Sequence, residues 1–230
     1  MSDIFFEVIR PGINSTYQDL GRKHLYHLGL PFSGAMDQRN FLLSNFLVGN
    51  KRNEAVLEFA YQGPLLKVKN DNILFAITGN VNFKIKKKTS EIIDGDCYKT
   101  YLLNKDDELD IISTNQSVYG YLAVSSGFKV EKFMGSYSTT TRAGVGGNNG
   151  NKILLNQKLY INNFKDILTN KQINFFNSKI EFIRILKGTN FDYFTEKSIK
   201  KFFSENFTVT KLTDRMGMRL KGPILDNNKE

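Results

Sequence analysis

The sequence has few of the residues from which disulfides, reactive thiols and metal sites are built. Among 230 residues there is one cysteine, Cys97, and there are two histidines, His24 and His27. A single cysteine excludes a disulfide within the chain, and the acidic neighbours in DGDCYK raise a thiol pKa rather than lower it. The histidines have no cysteine or acidic cluster near them in sequence, whereas a zinc site needs three or four ligands. We therefore predict a structural cysteine and no metal site.

Long hydrophobic runs are also missing. No stretch approaches the roughly 18 apolar residues that a membrane-spanning helix needs. The amino-terminal MSDIFFEVIRPG has no basic segment followed by a long apolar one, as a secretory signal would. The composition is 40% hydrophobic and 13% aromatic, which is ample for a packed core. These features predict a cytoplasmic protein with no membrane partner.

The charge is unbalanced, with a formal net charge of +9. Such an excess raises the possibility of nucleic-acid binding, but most of the lysines are scattered along the chain. No basic stripe has the interleaved aromatic residues on which bases stack. We predict no nucleic-acid partner.

Short apolar runs between turn residues dominate the sequence and predict strands of a β-rich barrel or sandwich. The predicted strands are 5–10, 55–60, 64–69, 73–79, 81–86, 108–113, 119–127 and 153–161. Two helices interrupt this rhythm, so the predicted fold class is mostly β with α (α+β). A polar, glycine-free break near 162–180 suggests two units, a first β unit over 1–162 and a shorter, partial β unit over 163–230.

The first predicted helix covers 33–50 and the second covers 192–203. In the first, apolar residues recur at helical spacing, and Gly49 follows as a residue after a helix end often does. Ser33 is the predicted N-cap of this helix, and Asp37 would lie in its first turn.

The densest polar segment is GSYSTTTRAGVGGNNG, residues 135–150. Ser136 and Ser138 are not in a Gly-x-Ser-x-Gly elbow, and the glycines match neither the dinucleotide pattern nor the lysine-ended phosphate loop. Glycines do let backbone N–H groups approach a ligand closely. Two interpretations stay open, a wide structural turn and a polar pocket rim.

Seven blocks together resemble one family. They are RPGINSTYQDLGR, LGLPFSGAMDQRNFLLSNFLVGN, AVLEFAYQGPLL, ITGN, YLAVSSGF, GSYSTTTRAGVGG and TDRMGMRL, in this order. The sequence is similar to the biotin-dependent carboxyltransferase family of KipA and allophanate hydrolase subunit 2, which includes the C-type subunit of bacterial ATP-dependent 5-oxoprolinase. The resemblance implies two cyclophilin-like β-barrel units. The second is expected to be incomplete, because TDRMGMRL is internal in the family and here stands close to the end.

The resemblance also implies a function. It predicts a C-type component of an ATP-dependent 5-oxoprolinase, which converts 5-oxoproline to glutamate, or of a biotin-dependent carboxyltransferase-type complex. Such a component is expected to be inactive alone and to act on a small lactam or amide with a B-type partner (KipI or allophanate hydrolase subunit 1), with or without an A-type subunit. ATP or biotin would be used through the complex, with none bound covalently, since the chain has no Met-Lys-Met attachment motif. Two alternatives stay open, a KipA-like regulator that antagonises a histidine-kinase inhibitor and a component of the urea carboxylase or allophanate hydrolase type.

Lactam chemistry suggests roles for the polar residues of these blocks, although the sequence does not identify a catalytic residue. Backbone N–H groups and hydroxyls can stabilise charge on a carbonyl oxygen. An arginine, Arg142 or Arg22, suits a substrate carboxylate. Asp19, Asp37 or Glu58 could act as a base or orient those arginines. The complete predicted pocket set is Gln18, Asp19, Arg22, Ser33, Asp37, Glu58, Ser136, Ser138, Thr139, Arg142, Gly146, Gly147, Asp214 and Arg215.

Overall fold

A computed structural model describes residues 3–162, 170–174 and 181–228 of the chain. The chain divides into two compact units, Met1–Phe175 and Phe176–Glu230. Most of the predicted break at 162–180 lies outside the described residues.

The first unit is built from two antiparallel sheets. Its strands are β1 Phe5–Arg10, β2 Thr16–Gln18, β3 Val56–Ala60, β4 Leu65–Lys69, β5 Ile73–Thr78, β6 Val81–Lys86, β7 Ile92–Gly95, β8 Thr100–Leu103, β9 Glu108–Thr114, β10 Tyr119–Val124 and β11 Lys158–Tyr160. One sheet has the order β11-β1-β4-β9-β6-β7 and the other the order β2-β3-β10-β5-β8. The mostly β prediction is confirmed, whereas the closed barrel stays a prediction.

The hydrophobic core lies between the two sheets, and the residue pattern of each strand explains its place. In β6, Val81, Phe83 and Ile85 point inward and alternate with exposed residues. In β5 all six residues are buried. Phe75 belongs to the core between the sheets, whereas Ala76 belongs to a second cluster beneath the helix α1. Each large side chain buried in this way contributes about 1.5–3 kcal/mol.

The helix α1 spans Gln38–Leu47, so the predicted helix over 33–50 is too long at both ends. Asp37 is the N-cap, because its carboxylate accepts a hydrogen bond from the Asn40 N–H at 3.0 Å. The prediction of Ser33 as N-cap is wrong. Ser33 has a left-handed φ of 56°, and its hydroxyl pairs with the Thr140 hydroxyl at 2.6 Å.

The second unit contains the helix α2 Glu196–Ser204 and a two-stranded sheet, β12 Thr208–Asp214 with β13 Gly217–Lys221. The helix predicted over 192–203 is interrupted, since a 3-10 turn at Phe191–Tyr193 precedes it. Thr195 then acts as the N-cap of α2 and accepts from the Ser198 N–H at 3.1 Å.

Candidate functional site

A buried carboxylate at the end of β2 fixes the 135–150 segment. The Asp19 carboxylate accepts hydrogen bonds from the Ser138 hydroxyl at 2.6 Å and the Ser136 hydroxyl at 2.7 Å. It also accepts from the backbone N–H groups of Tyr137 and Gly21, each at 2.8 Å. Asp19 and both serines are buried. Both serine hydroxyls therefore use their single proton to hold this segment against β2.

Arg22 extends the same network. Its guanidinium donates to the Thr140 hydroxyl at 2.9 Å, to the Ser33 hydroxyl at 3.2 Å and to the Ser138 carbonyl. The side chain is buried and forms no ion pair with any described residue. Burial lowers the pKa of Arg22, while the nearby charge of Asp19 acts in the opposite direction. Arg22 is thus a buried cation held mainly by neutral oxygen atoms.

The glycine turn, residues 144–150, ends the segment and packs directly on this network. Gly146 has a φ of 97°, and a Cβ at that position would overlap the Ser138 carbonyl oxygen and approach the Arg22 guanidinium. The carbonyl of Gly147 accepts from the Thr139 hydroxyl at 2.9 Å. Only glycine fits at position 146, both because of its backbone conformation and because of this close approach.

Gln18 connects β2 to the same segment from the other side. Its side-chain amide donates to the Thr16 hydroxyl at 2.9 Å and to the Thr139 carbonyl at 3.1 Å. Gln18 is fully buried, and its Oε1 has no hydrogen-bond partner among the described residues.

Asp37 and Glu58 form a second network at the start of α1. The Glu58 carboxylate accepts from the Tyr121 hydroxyl at 2.9 Å and from the Met36 N–H at 2.8 Å. The Tyr121 oxygen in turn accepts from the Asp37 N–H at 2.6 Å. Burial, with Glu58 adding to it, raises the pKa of Tyr121, so this hydroxyl stays a neutral donor. The backbone N–H of Ala35 donates to the Asp19 carbonyl at 2.8 Å and joins the two networks.

Most of the predicted pocket residues therefore lie together in a hydrogen-bonded framework that is buried except at the half-buried Ser33, Asp37 and Gly146. The residues brought into the two networks are Gln18, Asp19, Arg22, Ser33, Asp37, Glu58, Ser136, Ser138, Thr139, Gly146 and Gly147. Arg142 instead lies at the exposed tip of the loop and makes no hydrogen bond or ion pair within the described part of the chain. Asp214 and Arg215 lie in the second unit, where the Asp214 carboxylate accepts from the Met216 N–H at 2.7 Å and caps the turn between β12 and β13.

An open cavity of about 480 Å³ lies beside the glycine turn. Its walls include Gly144, Gly146, Phe133, Lys129, Lys132 and Lys158. Sequence reasoning missed the three lysines, which were counted among scattered charges. Two of them, Lys129 and Lys132, lie in KVEKF just before the 135–150 segment. This closeness in sequence was the signal that could have indicated a basic cavity beside that segment.

The described residues offer neither a metal cluster nor a membrane-spanning helix. Residues 3–162, 170–174 and 181–228 contain no group of three or more histidine, cysteine and acidic side chains placed to hold a metal ion. Within the same ranges no helix has both the length and the apolar character needed to cross a bilayer.

Comparison with known proteins assigns the chain to a family. Residues 28–229 match the carboxyltransferase domain, subdomains A and B. Urea amidolyase of Saccharomyces cerevisiae is 30% identical over 236 residues, which cover 94% of this chain and 12% of that protein. The C-type subunit of 5-oxoprolinase from Haemophilus influenzae is 28% identical over 92% of this chain and 67% of its own length. The chain thus spans about two thirds of that protein and a small part of urea amidolyase.

Solved structures agree with this assignment. TTHA0988 superposes with a TM-score of 0.79 at 27% identity, covering 96% of this chain and 80% of that one. The urea carboxylase of Kluyveromyces lactis superposes with a TM-score of 0.82 at 25% identity, covering all of this chain and 21% of that one. The family predicted from the seven sequence blocks is confirmed, and the chain belongs to the carboxyltransferase-domain family that includes the C-type subunit of 5-oxoprolinase and the related region of urea amidolyase.

Proposed function

We propose that this chain is the C-type component of an ATP-dependent 5-oxoprolinase, a complex that opens 5-oxoproline to glutamate. The observation that carries the proposal is the similarity to the C-type subunit of 5-oxoprolinase, which extends over 92% of this chain and 67% of that protein. Family membership over residues 28–229 supports it.

The chemistry of a lactam explains what the framework would contribute. A lactam nitrogen is a poor nucleophile and its carbonyl a poor electrophile, so donors must stabilise the charge that develops on the carbonyl oxygen. In the proposal, the backbone N–H of Gly146 is such a donor. The N–H groups of Gly144, Val145 and Gly147 already donate to backbone carbonyls, whereas that of Gly146 makes no hydrogen bond to a described residue. Asp19, Ser136 and Ser138 are positioning residues that hold the turn in place before substrate binds, because their hydrogen bonds are already made to one another.

The proposed complex needs a B-type partner of the KipI or allophanate hydrolase subunit 1 kind, and an A-type subunit. ATP, and biotin where it is used, would be bound by those components. This chain has neither a lysine-ended phosphate loop nor a Met-Lys-Met attachment motif. The proposed location is the cytoplasm.

The test is ATP-dependent formation of glutamate from 5-oxoproline by this chain co-expressed with A-type and B-type subunits of the same genome. The control mixtures omit one component at a time. Glutamate formation that stops when this chain is omitted supports the proposal. Equal rates with and without this chain contradict it.

A second candidate function is that of a carboxyltransferase component which carboxylates urea. It is favoured by the 30% identity to urea amidolyase and by the TM-score of 0.82 to urea carboxylase. The distinguishing assay supplies urea, ATP, bicarbonate, a biotin carboxylase and a biotinylated carrier. Urea-dependent ATP turnover that needs this chain, with no turnover of 5-oxoproline, would replace the first function by the second.

A further inference from the structure

Two cavities of the first unit are rich in lysine, and they differ in how that charge is balanced. The first has a volume of about 450 Å³ and is lined by Lys67, Lys86, Lys87 and Lys88. Each of these lysines has a carboxylate partner within ion-pair distance. The pairs are Lys67 with Glu108 at 3.6 Å, Lys86 with Glu108 at 3.7 Å, Lys87 with Asp107 at 2.8 Å and Lys88 with Asp106 at 3.2 Å.

The cavity beside the glycine turn has the opposite character. Among the residues that line it, three lysines, Lys129, Lys132 and Lys158, face one carboxylate, Glu131. Outside this lining, the charge of Lys132 also acts on the carboxylate of Glu54 and lowers its pKa, although burial raises that pKa overall. None of the three lysines forms an ion pair with a described residue. Instead, the Lys132 ammonium lies 4.7 Å from the Tyr137 ring centroid and the Lys158 ammonium 5.1 Å from that of Phe5. A cation that rests on an aromatic face keeps its hydrogen-bond donors for another partner.

A further positive charge lies behind the cavity wall. The guanidinium of Arg22 is 5.8 Å from the ring centroid of Phe133, and a Cβ on Gly146 would meet its Nη2 at 2.8 Å. Phe133 and Gly146 both line the cavity. Arg22 is 2% exposed, and its Nε has no partner among the described residues. Charges are rarely buried this deeply without a counter-ion. The charge of Asp19, which is bound to the serines, offsets it in part.

The size of the cavity limits the ligand. A volume of about 480 Å³ falls in the range of roughly 300–1,000 Å³ typical of small-molecule sites. The wall at Gly144 and Gly146 also brings bare backbone close to the open space. The Gly144 N–H donates to the Thr141 carbonyl at 3.3 Å, whereas the Gly146 N–H makes no hydrogen bond to a described residue and is a donor of the kind that anion-binding turns use.

We propose that the cavity between Lys129, Lys132, Lys158 and the glycine turn is a binding site for a small oxyanion, a carboxylate or a phosphate. The lysines at the rim supply charge-assisted hydrogen bonds, and the glycine turn fixes the depth at which the anion sits. This places recognition of a substrate carboxylate on the lysines and away from Arg142. If the bound anion is the carboxylate of 5-oxoproline, this inference rests on the proposed function. If the bound anion is phosphate, the inference is independent of that function.

The experiment titrates the isotope-labelled full chain at low ionic strength and follows the backbone amide signals of the glycine turn. The three probes are 5-oxoproline, inorganic phosphate and 2-pyrrolidinone, which is the same lactam without the carboxylate. We expect saturable shifts of the Gly144 and Gly146 amides with at least one anion and none with 2-pyrrolidinone. The anion that binds more tightly shows whether the cavity recognises a carboxylate or a phosphate. Neither turnover nor a partner protein is needed, so this result is independent of the activity test.

Two double variants complete the design. Lys132→Met with Lys158→Met should weaken anion binding roughly fivefold, because two exposed charge contacts are lost. The matched control, Lys67→Met with Lys86→Met, removes the same charge from the cavity whose lysines are ion-paired, and it should leave the affinity unchanged. Three results would each overturn the proposal. They are no saturable shift with either anion, binding of 2-pyrrolidinone as tight as that of 5-oxoproline, and an equal loss of affinity in both double variants.

Discussion

Among single residues, Asp19 shows most clearly how one side chain joins distant parts of the chain. Its hydrogen bond to the Ser136 hydroxyl joins residues 117 positions apart. The sequence shows that Ser136 and Ser138 belong to a segment dense in polar groups, and predicts that they line a pocket. It does not show which carboxylate faces them after folding, so the hydrogen bonds that they donate to Asp19 were not predictable.

We expect Asp19→Asn to destabilise the first unit by about 2–4 kcal/mol. The amide cannot accept all the hydrogen bonds that the carboxylate accepts, and the buried Arg22 loses its compensating charge. Ser138→Ala, which removes one of the donors, should cost only about 1–2 kcal/mol. Urea denaturation, monitored by circular dichroism, gives the free energy of unfolding of both variants. An unchanged midpoint for Asp19→Asn would show that the carboxylate does not hold the segment.

Gly146 allows a sharper test of the close approach in the turn. Gly146→Ala should cost more than about 2 kcal/mol, because the methyl group adds a clash with the Ser138 carbonyl to the strain of a positive φ. Gly135 is the matched control, since it also has a positive φ, of 80°, but a Cβ there would meet no atom within 4 Å. Gly135→Ala should cost about 1 kcal/mol. The free energy of unfolding of both variants is measured by urea denaturation. Equal losses in the two variants would mean that the backbone at Gly146 is not tightly packed.

Among the elements, strands with clear alternation or long apolar runs were predictable, and short ones were not. β6 alternates over its full length and was found at its observed bounds. β2 has only the three residues TYQ, and β7 and β8 have four each, so none gives a periodic signal. The strand predicted over 153–161 shortens to Lys158–Tyr160. The first helix was found, but its start was misplaced because Ser33 and Asp37 are both good N-cap residues.

The N-cap assignment of α1 is testable. Asp37→Ala should destabilise the first unit by about 1 kcal/mol, because the Asn40 N–H loses its acceptor. Asp37→Asn keeps an acceptor there and should cost less than about 0.5 kcal/mol. The urea midpoints of the two variants give the comparison. If Asp37→Ala is as stable as the parent chain, another residue caps the helix.

The hairpin of β6 and β7 is tied to the turn before β9 by Asp107. Burial alone would raise the pKa of Asp107, but hydrogen bonds from the Lys87 ammonium and from the N–H groups of Asn104 and Lys88 outweigh it, so the pKa is lowered. A lowered pKa means that this contribution to stability is complete above the ordinary aspartate value of about 3.9 and is lost as the pH falls below it.

We therefore expect Asp107→Asn to cost about 1–3 kcal/mol at neutral pH and to make the stability of the first unit less sensitive to acid. The free energy of unfolding of both proteins, measured across the acidic range, tests this. Parallel pH profiles for the two proteins would contradict the assignment.

For the whole molecule, the family was predictable from seven short blocks whose order spans nearly the whole chain. The cavity was not, because its lysines look like the rest of a lysine-rich sequence until the unpaired ones are separated from the paired ones in space. The difference between the two lysine cavities depends on distances between side chains. Sequence order places Lys158 far from Lys132 and gives no reason to group them.

The most direct measurement titrates this chain into fixed amounts of the A-type and B-type subunits and records the rate of ATP-dependent glutamate formation from 5-oxoproline. The account predicts a rate that rises with added chain and then saturates, since turnover requires one assembled complex. A rate that is the same at every concentration, including zero, would contradict the claim that this chain is a working part of the complex.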